Sequence, residues 1–315
     1  MGSMKGLQQG RRLLVMAMLA SAALMQPATA ATITDGSGRQ VEVTDTSRTV
    51  AAGGSVTEIL YALGLQDRIV AVDTTSLYPA AALAEHPNVG YLRALSSEGL
   101  LSVKPTLILA EADAGPKDVV GQLQNASVPF VTVPDEASPE GIAEKIRFVG
   151  KVMGKPSEGE HLAATLLADF RSLEEQLAKV NDRPKVLFIL STAGDRMMAA
   201  GAGTSADEMI KLAKAENALT DFAGYKQVNG EAIIAAAPDV ILMMTRSGAH
   251  APGEALFANP AIAQTPAGRN KRLITMDGLY LLGFGPRTAH AAATLAAKLH
   301  PDAAIAPLPE RPWTK

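Results

Sequence analysis

"GGSVTEILYALG" (residues 53–64) and "GTSADEMIKLAK" (residues 203–214) align without a gap. Gly53 and Gly203, Ser55 and Ser205, and Glu58 and Glu208 are identical, and Ile59-Leu60 faces Met209-Ile210. A second matched pair follows in the same order. Glu98 stands seven residues before Pro105 of "PTLIL", and Glu231 stands seven before Pro238 of "PDVIL". Each reads as a helix from the glutamate, a proline turn, and a buried strand of continuous apolar residues. Strands alternating with amphipathic helices predict an α/β fold of two Rossmann-like lobes, each with a mostly parallel sheet.

Between the copies lies "SEGEHLAATLLADFRSLEEQLAKV", residues 157–180. Ser157 with Glu160 three residues on has the form of a capping box. Leu162, Leu166, Leu167, Phe170, Leu173 and Leu177 recur on one helical face. Twenty-four residues make a rod of about 36 Å, able to join two lobes while keeping their separation nearly fixed. The predicted organisation is a signal peptide over 1–30, an N-terminal lobe over 31–155, a connecting helix over 156–181 and a C-terminal lobe over 182–315.

The signal peptide is read from three parts. Lys5, Arg11 and Arg12 precede the apolar run Leu13 to Met25, and Ala28-Thr29-Ala30 supplies small residues before a cut near Ala30/Ala31. The apolar run is too short to span a bilayer. With no cysteine in the chain, neither a disulfide nor a lipid-anchored cysteine is available, which points to free export into a periplasm. Removing the first thirty residues leaves 26 basic against 32 acidic residues, a net charge of −6. No basic tract remains to attract nucleic acid or an anionic membrane. The five histidines are scattered without short ligand spacing, unlike a zinc or manganese site. No nucleophile elbow, P-loop or zinc-protease motif is present, so an enzyme is not expected.

The copies differ in one respect. Glu58 to Glu98 spans 40 residues, and Glu208 to Glu231 only 23. The extra 17 fall within "VDTTSLYPAAALAEHPNVGYLRALSS", and added loop on an α/β unit is where function is commonly grafted. Tyr91 and Arg93 lie near its end, directly after Gly90. A tyrosine after glycine is by itself a weak motif, most often a packing residue on a loop.

Taken together, these features resemble the helix-linked class of periplasmic binding proteins that serve ABC importers of cobalamin, siderophores and haem. "GGSVTEILYALG", "VGYLR", "SSEGLLSVKP", "NGEAIIAAAPDVIL" and "TPAGRNKRLITMDGLYLLGFGPR" are most similar to the haem-binding branch, over residues 33–315. The resemblance implies haem b as transported cargo. The partners it implies are a permease dimer with its ATPase and an outer-membrane haem receptor upstream, with the binding protein itself a monomer. It places the iron ligand at Tyr91 and a basic partner at Arg93. Some members hold a second haem with a histidine early after the long helix; "LFILSTAGDRM" has none.

The chemistry suits those residues. Ferric iron is a hard Lewis acid, and tyrosine serves as an axial haem ligand in catalase. A free phenol has a pKa near 10, so a phenolate ligand needs a cation beside it. If residues 91–93 are extended, both side chains share a face, and Arg93 stabilises and aims the phenolate without competing for iron. Tyr225, the repeat's counterpart in "GYKQ", lacks the basic partner and reads as cleft lining. Arg246, after the strand "VILMM", is a candidate for the haem propionates, and His250 reads as a loop histidine rather than a far-side ligand. The Met-rich "RMMAAG" and "ILMM" read as core. Matched glutamates on the two lobes engage permease arginines in the family, which assigns docking to Glu98 and Glu231. A siderophore or cobalamin binder of the same class is the alternative reading.

Overall fold

The computed structural model describes residues 31–193, 196–245 and 253–315. The signal segment, Arg246 and His250 lie outside them. A hairpin of β1 (Ala31–Thr34) and β2 (Gln40–Val43) opens the described chain. β3 (Thr49–Ala52), β4 (Ile69–Val72), β5 (Leu107–Ala110) and β6 (Phe130–Thr132) then pair in parallel in the order β4-β3-β5-β6. β3 and β5 are buried at every residue, as suits inner strands covered on both faces.

The second sheet is built from β7 (Lys185–Ala193), β8 (Arg196–Ala200), β9 (Glu216–Asn217), β10 (Tyr225–Val228), β11 (Val240–Thr245) and β12 (Leu273–Asp277). Its order is β10-β8-β7-β11-β12, with β9 also on β7. β7, β9, β11 and β12 are parallel, whereas β8 runs against both β7 and β10. Two residues separate β7 from β8, a link that only antiparallel neighbours can use.

Both matched pairs fold alike. Gly54–Ala62 and Ser205–Leu212 are helices, and so are Ser97–Ser102 and Gly230–Ala236, the latter two leading through Pro105 and Pro238 into β5 and β11. The long helix runs over Pro156–Leu177, 22 residues, or about 33 Å. The expected capping box does not form: Pro156 takes the first helical position and Lys155 makes no side-chain cap. Proline is favoured there because its missing N–H is not needed. Glu160 instead receives two hydrogen bonds from Arg147, at 2.7 and 3.0 Å. Leu162, Leu166, Phe170, Leu173 and Leu177 are buried, and Leu167 is half-buried. The helix packs along Pro139–Val152 and against Thr288–Leu299. A Cβ on Gly150 would sit 2.9 Å from the Gly159 Cα, so the crossing with Pro139–Val152 requires glycine.

Strand alternation assigns each side chain to one of three apolar clusters. Leu107 and Leu109 of β5, Val186 and Phe188 of β7 and Leu242 of β11 join Leu166 and Phe170 of the long helix in a single interior. Ile108 faces a separate outer cluster of the first lobe, and Leu187, Ile189 and Ile241 face one of the second. The lobes therefore share their inner core.

Polar ties cross between the lobes. Buried Glu58 accepts two hydrogen bonds from Arg287, at 2.6 and 3.0 Å. The Arg287 guanidinium lies 3.5 Å from the centre of the Tyr78 ring and 5.1 Å from that of Tyr280. Buried Lys145 donates to Asp135 at 2.8 Å and to the Phe284 carbonyl at 3.5 Å. Arg311 of the C-terminal segment donates to buried Asp169 of the long helix. Among the described residues, no helix is long and apolar enough to cross a membrane.

Candidate functional site

A cleft of about 930 Å³ opens between the lobes. Gly54, Thr74 and Glu111 enter it just beyond β3, β4 and β5, and Thr245 and Gly278 enter at the ends of β11 and β12. Ligands of open α/β sheets sit at such carboxyl ends of strands.

Tyr91 and Arg93 stand in the wall of the first lobe. Gly90 has φ 96°, a left-handed value that favours glycine, and it turns the chain so that Tyr91 remains 41 % exposed. Residues 91–93 are not extended throughout. Tyr91 is, but Leu92–Ala94 forms a 3₁₀ turn, with Leu92 buried as its anchor. The turn still brings the pair together, and Arg93 Nη1 donates to Tyr91 Oη at 2.5 Å. Arg93 Nη2 donates to Asp113. Partial burial works against the Arg93 charge, but the bond to Tyr91 and the nearby Asp113 hold its pKa above the ordinary value. The cation is thus fixed between two oxygens, one of which faces the cleft.

Two carboxylates that sequence reasoning missed organise this wall. Asp73, buried after β4, accepts from the N–H groups of Gly53 (3.0 Å), Thr75 (3.0 Å) and Leu92 (3.2 Å). It thereby ties the strand–helix turn to the segment that carries Tyr91. An acid leading "DTTS" straight after an apolar strand is an Asx-turn signal, and it was legible. Glu111 accepts from Ser55 N at 2.8 Å and Ser55 Oγ at 2.7 Å. Burial pushes its pKa from 4.5 up to about 7, against the pull of Lys145 and Ser55 and with the help of Asp113.

That shift has a testable sign. Between pH 4.5 and about 7 the folded chain keeps a proton that the unfolded chain releases. The cost of ionising Glu111 in place therefore grows as pH rises and is fully present above about 7. Glu111→Gln keeps an acceptor for Ser55 and cannot ionise. Its melting temperature relative to the unmutated protein is expected to climb from about pH 5 to about pH 8. Parallel pH profiles would mean that Glu111 is already ionised at the acid end.

On the second lobe, Tyr225 of β10 lines the cleft and meets Phe188 edge-on, with centroids 6.4 Å apart. Burial raises its phenol pKa, partly offset by hydrogen bonds at Thr204 and Ala206 and by the charge of Arg93, so the group is held neutral. Met197 and Met243 are core residues as expected, but Met244 lines the cleft. Glu98 and Glu231 lie away from the cleft, each exposed at the second position of its short helix. Among the described residues, no group of three or more His, Cys, Asp or Glu side chains could hold a bare metal ion.

Residues 50–280 match the model of the periplasmic binding protein family. The chain is 40 % identical to a solved structure of the periplasmic heme-binding protein BhuT in complex with two hemes. That comparison covers 82 % of this chain and 99 % of the other, with a TM-score of 0.76. An uncharacterized ABC transporter substrate-binding lipoprotein of Bacillus subtilis, YvrC, is 28 % identical over 86 % of each chain. A vitamin B12-binding protein of Vibrio parahaemolyticus is 24 % identical over 78 % of this chain and 86 % of its own. All three are named as binding or substrate-binding proteins. With the matched family model and the shared architecture, this chain belongs to the periplasmic binding protein family.

Proposed function

We propose that the protein captures haem b in the interlobe cleft through an iron–phenolate bond from Tyr91 and delivers it to an ABC permease. The observation that carries this reading is the Arg93–Tyr91 hydrogen bond of 2.5 Å at an exposed phenol facing the cleft. A phenolate oxygen suits ferric iron, and the guanidinium stabilises and aims that oxygen without binding metal itself. The cleft volume lies within the range of small-molecule sites, roughly 300–1,000 Å³. Tyr225 lines the facing wall in this reading, and Arg246 pairs with a propionate.

The protein works in the periplasm once residues 1–30 are removed. Lobes 31–155 and 182–315 and the connecting segment 156–181 act as one monomeric carrier, loaded downstream of an outer-membrane receptor. Glu98 and Glu231 meet cations on the two halves of the permease dimer. Similarity to a vitamin B12-binding protein favours cobalamin as the second reading. Titration of the purified protein with hemin and with cyanocobalamin separates the two. Hemin is expected to bind with a shifted Soret band and a tyrosinate charge-transfer band, and cyanocobalamin to bind far more weakly. Equal or tighter binding of cyanocobalamin would overturn the haem assignment.

A further inference from the structure

The two short helices that carry Glu98 and Glu231 match beyond the glutamates. Each begins with a side-chain cap: Ser96 accepts from Gly99 N at 3.3 Å and Asn229 from Ala232 N at 2.9 Å. Each buries the residue two past the glutamate, Leu100 or Ile233, in the outer cluster of its own lobe. Each leaves through a left-handed residue, Lys104 at φ 49° or Ala237 at φ 46°, before its proline. Each also holds a large apolar side chain out in water, Leu101 and Ile234, both 38 % exposed.

The fold explains Leu100 and Ile233 but has no use for the outward side chains. The other exposed large apolar residues among those described are Leu77, Tyr91 and Tyr225, and all three line the interlobe cleft. Leu101 and Ile234 lie elsewhere, one on each lobe, three residues after a glutamate. Positions i and i+3 share a helix face, so each lobe shows a carboxylate with an apolar knob beside it. Ser102 and Ala235, exposed next to the knobs, are small and leave room for a close approach. Among the described residues, neither Glu98 nor Glu231 has an ion-pair or hydrogen-bond partner within the chain.

We infer that Leu101 and Ile234 are the apolar halves of a two-point docking surface. The occupant is a permease dimer whose two equivalent subunits each present a cation beside an apolar hollow. This rests on the proposed docking through Glu98 and Glu231 and deepens it. A two-fold symmetric partner offers the same patch twice, which a duplicated acid-plus-knob surface matches. The carboxylates steer encounter and set its salt dependence. The knobs, desolvated on contact, slow departure.

The test uses the cognate permease–ATPase complex in lipid nanodiscs and the full-length mature binding protein. Leu101→Ser and Ile234→Ser are each expected to weaken binding roughly tenfold, and the double variant roughly a hundredfold. The loss should lie in the dissociation rate, with the salt slope and the hemin spectrum unchanged. Glu98→Gln and Glu231→Gln should slow association and flatten the salt slope. If the serine variants bind like the unmutated protein while the glutamine variants weaken, the knobs have no role and the carboxylate docking stands. If only the serine variants weaken, the apolar surface stands and the carboxylate reading falls. If neither set changes binding, both fall.

Discussion

Tyr91→Phe is expected to abolish the tyrosinate charge-transfer band of the hemin complex and to weaken hemin binding by more than about a hundredfold. Loss of an outer partner to a metal ligand already costs roughly 10–100-fold, and loss of the ligand itself exceeds that. Phenylalanine keeps the ring, and Tyr91 is 41 % exposed, so the fold is not at stake. Arg93→Ala should fall in the 10–100-fold range, because it leaves the iron bond in place but removes the cation that Asp113 holds against Tyr91. Absorption spectroscopy and competition titration read both effects. An unchanged spectrum and affinity in Tyr91→Phe would remove the iron ligand from position 91 and turn attention to the second lobe.

The largest effect on stability is expected at the interlobe ion pair. Arg287→Ala should destabilise the protein by about 3–5 kcal/mol, the range for leaving one member of a buried pair unpaired. Glu58 is buried on its helix, and burial raises its pKa against the pull of the Arg287 hydrogen bonds. The substitution also removes a guanidinium stacked on Tyr78. Replacing both partners, as Glu58→Leu with Arg287→Met, should recover most of the loss, since an apolar pair of similar volume leaves no charge stranded. Urea unfolding monitored by far-ultraviolet circular dichroism measures both. A loss below about 1 kcal/mol in Arg287→Ala would class the pair with solvent-exposed bridges.

What could be read from the chain alone followed the range of the interactions involved. The duplicated segments and the glutamate–proline units depend on local periodicity and punctuation, and they fold as expected. The hydrophobic face of the long helix is equally local, and the helix begins at Pro156 within the expected segment, but the Ser157–Glu160 capping box does not form because Pro156 occupies the helix entrance. The reversed strand β8 breaks the symmetry of the copies, and its only trace is the short polar link after "LFILSTA". Asp73 and Glu111 gain their roles from partners up to 56 residues away, and Glu58 from one 229 residues away. Contacts that distant leave no spacing to count. Glu58 and Glu208 look equivalent in the alignment, yet one is sealed against Arg287 while the other forms a surface pair with Lys211.

The interior common to both sheets and the long helix has a consequence for how such a carrier can be altered. Cutting the gene at the connecting helix would not yield two working modules, because each fragment would expose the apolar face that its sister now covers. The two copies resemble each other in sequence, but the shared core makes them obligate neighbours. Change is better tolerated in the loops at the strand ends, where the first copy already carries 17 more residues than the second, than by exchanging halves.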